Sequence, residues 1–524
     1  MAGLSFWTPL LPLFLSFAYC ALTAHNLDKY PPSFVFEEEM KAHLGESSAS
    51  PIDIRVTRAL GDKGYEKMRV SVISGSPTPP AAPHWDWDYS SRFVGRWLSS
   101  FDLGKSDTGC KETPLATSTG VVEADCLRLC SDSASCAFYT FEKTTCNAYS
   151  ACTPVHKHGT TTTTKFQDNH LHSKIVSVEA GKPEVLSIGG VNVTLFLPEE
   201  DAPTAGIVWS DPCISGRWVG CYASNVSLPR SAEMINALAE DSSWHYWQVL
   251  GDNYYDQDGR LSKAVYDKLS LKAKSKIFYT VPGNHDLWVA GGADNSDDYD
   301  QFGHGFMQWY AQDTMGSVTG DNGFLDFSIG ADDDIGNYDF NARNSGNNFL
   351  WYNKIGAVGY IGFNGASLEE TEDAAFVNAC SFFKNNAEVV FVLGHWNADE
   401  TGSSILGVPE LREKLLAYEG CDIGDRLKYM DGHTHSNYAQ QEGEGEEVGF
   451  MIGGHGMAGA GQFGFAYVKN GGTGGREGTE VWYFEEWSWA TTKDEDQADN
   501  YDLILNCVKE NGVDGCTHLA TRWL

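Results

Sequence analysis

The stretch Ile277-Phe278-Tyr279-Thr280-Val281-Pro282-Gly283-Asn284-His285-Asp286 decides how this chain is read. Five apolar or β-branched residues make a short buried strand, Pro and Gly end it, and Asn, His and Asp follow at once. Alone, Gly-Asn-His-Asp would pass for a turn, because Gly and Asn accept positive φ and Asp caps loops. Four other runs end the same way. Gly206-Ile207-Val208-Trp209-Ser210 leads into Asp211, and Trp247-Gln248-Val249-Leu250 into Gly251-Asp252-Asn253-Tyr254-Tyr255. Val389-Val390-Phe391-Val392-Leu393 leads into Gly394-His395, and Leu427-Lys428-Tyr429-Met430 into Asp431-Gly432-His433-Thr434-His435. Open α/β sheets gather their chemistry beyond the carboxyl ends of strands, where loops converge on one crevice. Two Asp, one Asn and three His delivered there make a cage of hard oxygen and imidazole donors. One carboxylate can bridge two cations about 3.5–4 Å apart.

The order Asp, Gly-Asp-x-x-Tyr, Gly-Asn-His-Asp, Gly-His, Gly-His-x-His resembles that of the calcineurin-like metallophosphoesterases. Tyr255, three residues after Asp252, resembles the purple acid phosphatase branch in particular. Steps of 41, 32, 111 and 38 residues from Asp211 through Asp252, Asn284 and His395 to His433 are compatible with it. The resemblance covers about residues 175–490 and implies an α/β fold, a β-sandwich flanked by helices. It also implies one ion on Asp211, Asp252, Tyr255 and His435, and a second on Asp252, Asn284, His395 and His433. Iron paired with zinc, manganese or a second iron is the implied metal pair. A water shared by the two ions would become a hydroxide in line with phosphorus. His285 would hold the phosphate or protonate the departing alkoxide, and Asp286 would orient His285 or the next loop.

The chain departs from that pattern after Asp211. Many relatives carry His two residues on and the purple acid branch carries Gly, whereas this chain has Cys213. Cys213 is either a thiolate ligand favouring a softer ion or half of a disulfide with Cys221. Tyr255 is then the natural candidate for the vacant ligand position, its alternative being a buried core aromatic. His455 follows another apolar run, Gly449-Phe450-Met451-Ile452, and either lines the pocket or is structural.

At 524 residues the chain exceeds a single core, so two or three domains are expected. A formal net charge of -34 argues against nucleic-acid or anionic-membrane partners. A dinuclear metal centre would still supply local positive charge. Residues 1–24 lack charged side chains, carry the apolar run Leu10 to Leu15, and end on Ala21-Leu22-Thr23-Ala24. They read as a secretory signal peptide, with an uncleaved anchor as the alternative. No later run reaches the ~20 apolar residues of a membrane span. The expected location is extracellular or the secretory-pathway lumen.

The 13 cysteines, less Cys20, leave an even number for an oxidising compartment. Six of them, Cys110, Cys126, Cys130, Cys136, Cys146 and Cys152, crowd one segment. The stretches Asp125-Cys126-Leu127-Arg128-Leu129-Cys130 and Cys136-Ala137-Phe138-Tyr139-Thr140-Phe141 resemble a PAN/apple module over about 85–167, a small disulfide-rich α+β unit. Connectivity stays open, since six Cys allow fifteen pairings. Cys380 with Cys421, and Cys507 with Cys516, are expected pairs. Residues 25–84 read as an N-terminal region ending in a Pro-rich linker, Ser76 to Pro83, and 491–524 as a C-terminal tail. Trp85-Asp86-Trp87-Asp88-Tyr89 is either a sugar-stacking platform or packs on a neighbouring domain. Thr160 to Thr164 reads as a second linker, flanked by His156 and His158 in solvated loop. Asn192-Val193-Thr194 and Asn225-Val226-Ser227 are N-glycosylation sequons. The Asp-rich runs 294–300 and 332–334 lack a full calcium-loop pattern and read as solvated loops.

These readings point to an exported dinuclear-metal hydrolase acting on phosphate esters, most simply a phosphomonoesterase. A phosphodiesterase for nucleotides or phospholipid headgroups is the alternative within the enzyme class. A different class is a cell-surface binding protein whose PAN-like module takes a glycan or protein ligand and whose phosphoesterase fold is only a scaffold.

Overall fold

The computed structural model describes residues 52–58, 64–100, 108–121, 126, 130, 136, 138–157, 159, 162–214, 224–256, 260–287, 309–310, 350–365, 372–398, 406–442, 446–455, 462–471, 478–488 and 500–523. The expected signal peptide, both Asp-rich runs, His158, Cys221 and most of the insertion between Asn284 and His395 lie outside them.

Two sheets carry the fold. The first contains β1 (Asp53–Arg58), β2 (Lys67–Ser74), β3 (Thr162–Ser177), β4 (Ala205–Pro212), β5 (Tyr246–Leu250) and β6 (Ile277–Val281). The second contains β7 (Trp351–Ile355), β8 (Val358–Gly362), β9 (Val389–Leu393), β10 (Leu427–Asp431), β11 (Tyr438–Glu442) and β12 (Glu446–Met451). β13 (Gln462–Asn470), β14 (Thr479–Ser488) and β15 (Thr521–Trp523) return to the first sheet. Its order is β15-β14-β13-β4-β5-β6-β1-β2-β3, continuing into Phe138–Glu142, Thr145–Tyr149 and Ala116–Thr119, while the second runs β7-β8-β9-β10-β12-β11. The strands that end in the motif residues are central and parallel: β4–β5–β6 in one sheet, β9–β10 in the other.

Strand alternation sorts the side chains into layers. Val208, Tyr246, Ile277 and Tyr279 face Trp351, Tyr360, Phe391 and Met430 in a core between the sheets. The alternate residues, Ile207, Trp209, Trp247 and Phe278, pack outward under α1 (Ser224–Glu240), α2 (Arg260–Lys268) and α5 (Tyr501–Gly515). Val390 and Val392 meet α3 (Glu372–Phe383) and α4 (Val408–Ala417) on the far side. Because both faces are covered, these strands read as unbroken apolar runs rather than as alternating ones. Tyr279 stacks on Trp351 at 4.4 Å between ring centres, and the Tyr246 and Tyr360 hydroxyls pair across the same seam.

The N-terminal region is part of the first sheet, and one expected linker is a strand. Residues 53–74 supply β1 and β2, and β1 pairs parallel with β6, the strand that leads to Asn284. The buried Arg58 guanidinium ties β1 to the opposite sheet by donating to Asn353 Oδ1 at 2.7 Å. The threonine run is no linker either: Thr162, Thr163 and Thr164 pair with Phe141, Thr140 and Tyr139, and β3 runs on without a break to Ser177. Polar β-branched residues have linker composition but strand propensity, and pairing decided between them. One continuous sheet therefore crosses the boundaries suggested near 84 and 167. The Pro-rich stretch also packs, with Trp87 Nε1 donating to Pro80 O at 3.0 Å while Trp85 and Trp87 lean on the inter-sheet core.

The cysteine-rich segment is held by Cys110–Cys152, Cys126–Cys146 and Cys130–Cys136, a connectivity the sequence left open. Cys380–Cys421 and Cys507–Cys516 form as expected. Among the described residues no helix is long and apolar enough to cross a membrane.

Candidate metal centre

The candidate ligands lie where parallel strands stop and adjoining loops splay over the sheet edges. Seven non-glycine residues among those described adopt positive φ, and six of them are Asp211, Asp252, Tyr254, Tyr255, His433 and His435, with φ between 49° and 64°. Such a conformation costs of order 1–3 kcal/mol per residue and persists where surrounding structure enforces it. Here it turns successive strand ends inward on one point. Glycines permit the close approach. A Cβ on Gly432 would fall 1.9 Å from Ser210 Oγ, and one on Gly283 would fall 2.2 Å from Asp252 Oδ1.

All six of the strand-end ligand candidates meet in one network. Asp211 and His395 are fully buried. His435 Nε2 lies 3.1 Å from Asp211 Oδ1, and the Tyr255 hydroxyl donates to the same oxygen at 3.4 Å. The His433 backbone N–H donates to Asp211 Oδ2 at 3.0 Å, and the Ser210 hydroxyl also donates to Oδ2. The His285 N–H donates to Asp252 Oδ1 at 2.8 Å. Oxygen or nitrogen atoms of Asp211, Asp252 and His395 fall within 4.8 Å of one another.

The donor set tests what the centre can hold. His395 Nδ1 donates to Leu250 O at 2.8 Å, which turns Nε2 into the cage. Nε2 lies 3.0 Å from Asn284 Oδ1, 3.2 Å from His433 Nδ1, 3.5 Å from Asp252 Oδ1 and 3.9 Å from Asp211 Oδ1. Asn284 Oδ1 also lies 3.1 Å from His433 Nδ1. Two carboxylates, an amide oxygen and imidazole nitrogens gathered in one buried space are a donor set that cations satisfy. The residues present fit metal ions.

The titration of these groups has the same cause. Burial and the charge of Asp211 push the Asp252 carboxyl up. Burial acts on Asp211 too, but His395 and His435 outweigh it and hold that carboxyl well below the usual range. Burial, then Asp252 and Asp211, push the Tyr255 phenol up, so its ionisation requires a cation in the cage. Burial lowers His433 and His285 to about 3 each, with His395 adding to both. Both rings are therefore neutral, the form in which imidazole ligates metal.

Four further residues flank these ligands in sequence or in space. Cys213 is buried and disulfide-bonded, to a partner outside the described residues, so it offers no thiolate ligand. Asp286 lies under the cage rather than against His285. Its carboxylate accepts from Asn253 N–H at 2.9 Å and from Gly283 N–H at 2.7 Å. The His285 ring packs 4.8 Å from that of Tyr255 and is partly exposed. The backbone at Gly454–His455 pairs beside Ser210 and Pro212, next to the Asp211 strand end. Sequence reasoning passed over Ser210, Asn253 and Thr280. Asn253 stood inside a quoted motif, but nothing in its spacing marked a function.

Residues 210–437 match the family model described as calcineurin-like phosphoesterase. No curated protein matches the chain. Among solved structures, a purple acid phosphatase from yellow lupin (Lupinus luteus) seeds is 12% identical, with 83% of this chain and 72% of that chain covered and a TM-score of 0.44. A dimetal phosphatase from Danio rerio is 11% identical, with 54% of this chain and 96% of that one covered and a TM-score of 0.34.

Proposed function

We propose that this protein is an exported phosphoesterase that works with two metal ions, most simply on phosphate monoesters. The observation that carries this reading is the meeting of His395 Nε2, Asn284 Oδ1 and His433 Nδ1 within 3.0–3.2 Å, beside the carboxylates of Asp211 and Asp252. The match over 210–437 supports it.

Asp211, Tyr255 and His435 would hold one ion and Asn284, His395 and His433 the other, with Asp252 shared. Iron with zinc, manganese or a second iron suits this mixture of carboxylate, phenol, amide and imidazole. Bound cations would supply the Lewis acidity that makes water a nucleophile at neutral pH and neutralises charge on the phosphoryl group. Tyr255 and Asp211 fix one side of the centre through their hydrogen bond, and the Ser210 hydroxyl keeps the second Asp211 oxygen in place. His285 borders the cage with a neutral ring, so it meets substrate first as a hydrogen-bond donor. An acid role toward the leaving group requires the phosphoryl dianion to raise its pKa.

Stripping metal with a chelator and reloading it should abolish and restore turnover of a chromogenic monoester. Asp252→Asn and His433→Ala should each abolish turnover in folded protein, and full activity in either rules out this cage. A diester assayed alongside separates the two esterase readings. A protein that binds no metal and turns over neither ester would instead be a scaffold whose cysteine-rich, PAN-like segment binds a glycan or protein. Export is supported by the charge-free apolar N-terminus and by five disulfides among the described residues. The sequon at Asn192 fits the same compartment, because Asn192 and Thr194 are both exposed on one face of a two-stranded ribbon.

A further inference from the structure

Beneath the cage a second polar cluster is buried among side chains that hold no ion in the proposed scheme. We propose that Asn253, gripped by Asp286 and Thr280, is a positioning residue that fixes the gap between the loop carrying Asp252 and the loop carrying Asn284, and so sets how tightly the cage takes metal. This rests on the reading of the site as a metal cage, not on which ester is cleaved.

β5 and β6 run parallel in register as far as Leu250 beside Val281. Beyond that pair the ladder ends and nothing regular holds the two chains together. The first loop is also under strain, since Asp252, Tyr254 and Tyr255 have φ of 53°, 63° and 54°. Asn253 sits between them and closes the gap. Its backbone N–H and side-chain Nδ2 donate to the two oxygens of one carboxylate, Asp286 Oδ1 and Oδ2, both at 2.9 Å. Nδ2 also donates to Val281 O at 3.0 Å, and Oδ1 accepts from the Thr280 hydroxyl at 2.6 Å. Asp286 Oδ2 takes the Gly283 N–H as well, at 2.7 Å, so one carboxylate binds its own turn and its neighbour together.

Asn253, Asp286 and Thr280 are all buried. Each hydrogen bond in the cluster therefore works in a dry interior, where the geometry of polar groups is rigidly specified. The clasp joins the loop of the carboxylate shared by both ions to the loop of Asn284. Metal ligation tolerates displacements of only about 0.2 Å. Residues that orient ligands from behind typically alter metal affinity or activity about 10–100-fold when removed.

The test compares Asn253→Ala and Thr280→Val with the unsubstituted full chain. Each protein is stripped with chelator, titrated with Mn2+ by calorimetry and melted in parallel. In folded Asn253→Ala the dissociation constant for Mn2+ should rise about 10–100-fold. In Thr280→Val, which loses one hydroxyl at constant shape, it should rise about tenfold. Saturating Mn2+ should recover most of kcat in both. A lowered melting temperature with a dissociation constant within about twofold of the unsubstituted protein would make the cluster merely structural and overturn the proposal. If Asn253→Ala fails to fold, Thr280→Val decides by the same criterion. An unsubstituted protein that binds Mn2+ but cleaves no ester sinks the phosphoesterase reading and leaves the clasp to stand or fall on the titration. One that binds no Mn2+ sinks both.

Discussion

Adding one methyl group at Gly283 should do more harm to the centre than to the fold. The new Cβ would lie 2.2 Å from Asp252 Oδ1, 2.5 Å from Asp252 N and 2.9 Å from His395 Cγ. Contacts of this kind need roughly 3.2 Å or more, so the two loops must part by about 1 Å. Asp252 cannot relieve the clash by changing rotamer, because the backbone nitrogen is one of the crowded atoms. Overpacking at this level costs about 1–3 kcal/mol, a fall of several degrees in melting temperature. A displacement of about 1 Å at a reacting centre costs on the order of 10²-fold in rate, because the misplaced groups include a shared carboxylate and an imidazole ligand. Gly420→Ala is the control. Gly420 has φ of +91° with no atom within 4 Å of its would-be Cβ, so that substitution carries backbone strain alone and should leave turnover intact. Thermal melts, metal stoichiometry and turnover of a chromogenic phosphate ester are measured on both variants. Gly283→Ala with unchanged metal content and turnover would refute the claim that this glycine is there for the approach of Asp252 and His395.

Three further outcomes are expected. Tyr360→Phe should cost about 1–3 kcal/mol by leaving the buried Tyr246 hydroxyl without its partner, while Tyr246→Phe together with Tyr360→Phe should cost less than the sum of the single changes in a double-mutant cycle. His245 has its pKa lowered to about 4 by burial and then by Lys276, so the stability it lends is complete above the ordinary value near 6.5 and is lost as pH falls from there toward 4; His245→Gln should shrink that loss by about 1–3 kcal/mol in denaturant titrations at the two pH values. Replacing Cys507 and Cys516 by Ala opens a loop of sequence separation 9, which should cost about 2–3 kcal/mol in chemical denaturation with kcat unchanged.

What could be read from the chain depended on how local the determining physics was. The strands ending in Asp211, Asp252, Asn284, His395 and His433 announce themselves because covered parallel strands are short, wholly apolar and cut off abruptly by polar residues. β1 and β2 lie in a stretch with no such contrast: Asp53-Ile54-Arg55-Val56-Thr57-Arg58 interleaves charged and polar residues with apolar ones, and nothing local marks it as a covered strand. Its arginines are buried nonetheless, and Arg58 is accommodated by Asn353 Oδ1, the Tyr65 carbonyl and the ring of Tyr65, partners that no local reading of residues 53–58 could supply. The same limit explains Asp286. Its neighbours in sequence are Asn284 and His285, which suggested a catalytic partner, whereas its neighbours in space are the amide of Asn253 and the turn at Gly283. Motif spacing finds residues that must meet a ligand, since chemistry restricts their type. It does not find those that hold the ligands' loops apart by the right amount, because an asparagine in that role satisfies a geometry set by two strands ending side by side, and that geometry exists only once β5 and β6 have paired.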